Sequence, residues 1–110
     1  GDFLAGFTLK DSPAFDEWCA LQREHLHGQA LDALGHLAAY HEQRGEYTTA
    51  SEVVRRQLEL EPWLETAHRH LMRVLWASGR RAAALAQYEQ CRTILDREWG
   101  VAPDAETRAL

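Results

Sequence analysis

Histidines, cysteines and one face of arginine and tryptophan are the residues of this chain with chemistry to offer. The histidines are His25, His27, His36, His41, His68 and His70. A helical zinc site needs two imidazoles one turn apart, as in the HExxH pattern. The spacings here put no two on one helical face, so all six read as surface and packing residues and no metal is expected. Cys19 and Cys91 lack CxxC spacing and fall beside apolar residues, which predicts buried, reduced thiols. Ser12, Ser51 and Ser78 fall at a helix cap, on a helix face and at a helix end. No glycine-rich phosphate loop and no GxSxG elbow occurs. Neither an enzyme nor a cofactor is expected. Recognition chemistry is better represented. Arg69, Arg73 and Trp76 stand at i, i+4 and i+7, one face of a helix, and Thr66 joins them. Two guanidiniums beside an indole suit a partner that carries carboxylates, since arginine pairs with them bidentately and tryptophan offers a flat apolar anchor. The plainer reading has Trp76 packed on the first helix and the arginines paired with local glutamates.

The elements that position this face come from a pattern that appears twice. Leu37, Gly45 and Ala50 are followed 34 residues later by Leu71, Gly79 and Ala84. Each copy reads as an amphipathic helix, a turn at glycine, and a second helix with a small residue at the crossing. That period and layout are the tetratricopeptide signature. Helix pairs of this kind must stack to bury their apolar faces, and the stack makes a partner-binding surface. The expected fold is all-α, with tetratricopeptide-like stacked helical hairpins, as a single domain over 1–110 and repeats at about 31–62 and 65–98. In such a stack Thr66, Arg69, Arg73 and Trp76 would line the concave groove.

Along the chain, Phe3, Leu4 and Phe7 are expected to fold back on the helices. Ser12 and Pro13 start a helix at N-cap and N1, with Asp16 and Glu17 favourable in its first turn. Apolar residues from Phe15 and Trp18 to Ala38 recur at helical steps up to Gly45. Gly28 reads as a kink and Gly35 as a point of close approach. Tyr47, Ala50, Val54 and Leu58 stripe a second helix. Pro62 is expected at N1 of a third, whose core stripe is Leu64, Ala67, His68, Leu71, Met72 and Leu75. A fourth helix runs from about Arg80 to Trp99, and Asp104 caps the start of another. Trp18 and Trp99 are expected to be buried, while Trp63 and Trp76 fall off the core stripe.

The chain carries a net charge of −5, with 45% hydrophobic and 26% charged residues. That is a helical globular profile. A free-standing nucleic-acid binder needs a basic face, and the Arg55-Arg56 and Arg80-Arg81 pairs are surrounded by acids. No signal peptide or membrane-spanning run is seen, so a cytoplasmic protein is expected. Without an initiator methionine, the chain is expected to be a piece of a longer protein.

Several runs together resemble the bacterial transcriptional activator domain of SARP-type regulators. They are Gly1-Asp2-Phe3-Leu4-Ala5-Gly6-Phe7, Gly45-Glu46-Tyr47 with Ala50, and Glu61 to Met72 with its Pro-x-x-Glu-x-x-His-Arg-x-Leu-Met pattern. Gly79 to Leu85 with Tyr88 follows, then the closing Glu98-Trp99-Gly100-Val101-Ala102-Pro103-Asp104-Ala105-Glu106-Thr107. Trp63 and Trp99 stand where that family more often has aliphatic residues, and Gly28 interrupts a helix usually free of glycine. The resemblance implies a regulatory module of a transcription activator that follows a DNA-binding domain and acts through a protein partner or self-association. No membrane or small-molecule partner is implied. A generic tetratricopeptide adaptor is the alternative.

Overall fold

The repeated helical spacing has its counterpart in a computed structural model that describes residues 13–109. Five helices follow one another: α1 (Pro13–Gln43), α2 (Tyr47–Leu60), α3 (Glu65–Ala77), α4 (Arg81–Trp99) and α5 (Ala105–Ala109). No strand occurs among the described residues. The fold is all-α, built of tetratricopeptide-like helical hairpins. Ser12 as a cap and the packing of Phe3, Leu4 and Phe7 lie outside the described residues. The chain divides into two compact units, 1–30 and 31–110, with the boundary inside α1.

Glycine ends the first helix of each repeat. Gly45 and Gly79 have φ of +75° and +82°, which L side chains rarely adopt. After each, the chain closes a Schellman-type cap: the Glu46 amide bonds the His41 carbonyl, and the Arg80 amide the Leu75 carbonyl. The carbonyls left open at the helix end are thereby satisfied, and the chain reverses into the next helix.

The second unit holds the core. Ala38 of α1, Val53 and Val54 of α2, Ala67, Leu71 and Leu75 of α3, and Ala84 of α4 form one buried cluster. Alanine recurs here because it lets backbones approach at the crossings. Gly35 serves the same end. A Cβ built there would lie 3.1 Å from Gln57 Nε2, and without one Gln57 donates to the Leu31 carbonyl at 2.9 Å.

Four expectations need correction. Pro62 is not at N1 of α3, which begins at Glu65 with Leu64 as its cap. Pro62 lies instead in a turn closed by the Leu64 amide on the Glu61 carbonyl, where its fixed φ suits the second turn position. Trp18 is 57% exposed, beside Phe15 at 6.2 Å between ring centroids. A helical stripe marks an apolar face, but burial needs a second element, and the described part of unit 1 is helix α1 alone. Trp99, the last residue of α4, is 60% exposed and meets Trp63 edge to face. Cys19 is only partly buried, whereas Cys91 is fully buried; both are free thiols. Burial, with the nearby charge of Glu65, pushes the Cys91 thiol up to about 11, which leaves it inert as a nucleophile.

Candidate interaction surface

Helix α3 carries functional side chains at two levels along one face. At the first level Arg69 reaches α5. Its guanidinium lies 3.2 Å from Asp104, 3.5 Å from Glu106 and 3.9 Å from Glu65. It also donates to Thr107 Oγ1 at 3.1 Å. The Thr107 hydroxyl in turn donates to Glu65 Oε2 at 2.8 Å, and the Asp104 amide does so at 3.0 Å. Asp104 caps α5 as the sequence predicts, its carboxylate accepting the Thr107 amide at 3.0 Å. The Thr107 backbone amide, with the Arg69 guanidinium, holds the Asp104 pKa below its ordinary value against the opposing effect of burial. A five-residue helix cannot persist alone; these contacts dock it on α3.

Behind the stripe, His68 is fully buried. Its Nε2 donates to the Pro62 carbonyl at 2.7 Å, and Gln87 Nε2 donates to its Nδ1 at 2.8 Å. Both ring nitrogens are thus used by the neutral imidazole. Burial holds its pKa below the ordinary histidine value, against opposing pulls from the Pro62 carbonyl and Glu65. His41 and His70 sit at 2.7 Å from Glu46 and 2.8 Å from Glu42. His68 and His70 therefore tie α3 to neighbouring elements, while His41 makes a local pair at the α1–α2 turn. Among the described residues no group of three or more His, Cys, Asp or Glu could hold a metal.

About one turn along α3 from Arg69, the same face opens into a half-open groove of about 590 Å³. Met72, Arg73, Trp76 and Ala77 of α3 form one wall, and Ala84, Leu85 and Tyr88 of α4 form the other. Arg108 and Ala109, the end of α5, close it on one side. Trp76 is 52% exposed, with the Arg81 guanidinium 4.8 Å from its ring centroid. Leu85 is 64% exposed.

Of the four residues singled out from sequence, Arg73 and Trp76 line this groove. Arg69 is turned to α5, and Thr66 is exposed in the first turn of α3 without lining the groove. The plainer reading of the arginines describes Arg69, paired with Glu65 and its neighbours, but not Arg73. Sequence reasoning missed Leu85, Tyr88 and Arg108. The 34-residue offset could have aligned α4 beside α3, yet which α4 residues stay uncovered depends on the position of α5.

The chain matches the family model of the bacterial transcriptional activator domain over residues 1–110. The chain belongs to that family. It is the activator domain of SARP-type transcription regulators, a regulatory domain and not a known enzyme family. Nothing matches among curated proteins, and nothing matches among solved structures. Within this activator domain, no described helix is long and apolar enough to cross a membrane.

Proposed function

We propose that this activator domain is a regulatory protein–protein interaction module that couples a separate DNA-binding domain to partners or to oligomerisation. The supporting observation is the groove, which presents half-exposed tryptophan, leucine and arginine on rigid helices. Interfaces are enriched in tryptophan and arginine, and rigid elements keep the ordering cost of binding low. A net charge of −5 argues against DNA as its own ligand. Its site of action is the cytoplasm, with the two repeats at about 31–62 and 65–98 forming the scaffold of a single domain over 1–110.

The test is a reporter assay with the regulator that carries the domain. Removing residues 1–110 should abolish activation while promoter binding by the DNA-binding domain persists. Full activation without the domain would refute the reading.

A further inference from the structure

Resting on that reading, we infer that the groove between α3, α4 and α5 takes an amphipathic helix of a partner protein whose apolar face is flanked by carboxylates. Shape is the first argument. The groove runs between packed helices and is only half-enclosed, whereas small-molecule pockets bury most of their ligand. A helix laid in a groove buries one face and leaves the other in water.

The floor is the second argument. Trp76 and Tyr88 are large, rigid anchors, and Leu85 supplies exposed apolar surface beside them. Leu85 and Trp76 are each more than half exposed, so an apolar face seated here would remove real hydrophobic surface from water.

Charge decides the flanks. Arg73 and Arg108 line the groove, and among the described residues no acidic one does. Neither arginine makes an ion pair with a described residue. Arg81, on the Trp76 ring, adds a third cation at the edge. Such a cluster stands out on a chain of net charge −5. It selects carboxylates, with which guanidinium forms paired hydrogen bonds.

The probes are three labelled peptides of about 18 residues, long enough for stable helicity: an acidic amphipathic helix, its Glu-to-Lys counterpart, and an acidic peptide with the apolar stripe scrambled. Fluorescence anisotropy with the 110-residue chain should show the acidic helix binding at least about tenfold more tightly than either control. Arg73→Glu with Arg108→Glu should invert the preference between the acidic and the Lys peptide. Leu85→Lys, at an exposed position that cannot unfold the domain, should weaken binding by about tenfold or more. Equal binding of the three peptides, or no response to either variant, overturns the inference. So does dimerisation in sedimentation that Leu85→Lys abolishes, which would make a second copy the occupant. If the peptides fail while removal of the domain still abolishes activation, only the occupant is wrong. If the domain is dispensable for activation, the functional reading falls with it.

Discussion

Replacing Arg69 with methionine removes the guanidinium that ties α3 to α5 while keeping much of the side-chain volume. Arg69 is 13% exposed, whereas its carboxylate partners range from 22% for Glu65 to 80% for Glu106. Breaking a fully buried pair costs about 3–5 kcal/mol, and an exposed one contributes about 0–1 kcal/mol. Arg69 falls between. Glu65 keeps the Asp104 amide and the Thr107 hydroxyl as donors, so a loss of about 2 kcal/mol is expected. For a domain of this size, that lowers Tm by about 8–16 °C. Circular dichroism melts at pH 7 measure this, and the difference should shrink in 1 M NaCl. Hydrogen exchange supplies the local readout, since the Thr107 and Arg108 amides should lose protection before those of α3 do. Because Arg108 and Ala109 close the groove, the variant should also bind the acidic peptide more weakly. Unchanged Tm together with unchanged α5 protection would refute the role given to Arg69.

Ala84→Leu and Ala50→Leu should each destabilise by about 1–3 kcal/mol through overpacking of a buried crossing, whereas Glu46→Ala, at an exposed position, should cost little; an unchanged melt of Ala84→Leu would contradict the repeat alignment. His68 has its pKa lowered by burial, so the unfolded chain binds its proton first and the associated stability, present above about pH 6.5, is lost as pH falls. Denaturant titrations between pH 7 and 5 should therefore show a shallower pH dependence for His68→Gln than for wild type, and identical slopes would exclude the imidazole as the source. The 110-residue chain should give no electrophoretic shift with duplex DNA at physiological salt, and salt-dependent binding in the nanomolar range would reveal a basic surface that the net charge hides.

How much was legible in sequence depends on whether the cause is local. The 34-residue repeat, the turns at Gly45 and Gly79 and the Asp104 cap each follow from a few neighbouring residues. Positive φ, capping geometry and helical periodicity are properties of short segments. The buried stripe of α3 was readable for the same reason, and so was the placement of Arg73 and Trp76 away from it. Tertiary structure decided everything that required knowing which faces are covered. Trp18 and Trp99 sit on apolar stretches yet remain exposed, since exposure depends on elements far along the chain. Arg69 and Arg73 are one turn apart and chemically identical, but Asp104 and Glu106 come within reach of Arg69 alone. The groove is lined jointly by α3, α4 and α5. Its walls come from residues up to 37 positions apart, Met72 to Ala109, and long-range placement of that kind is set by packing of the whole core, which no local spacing encodes.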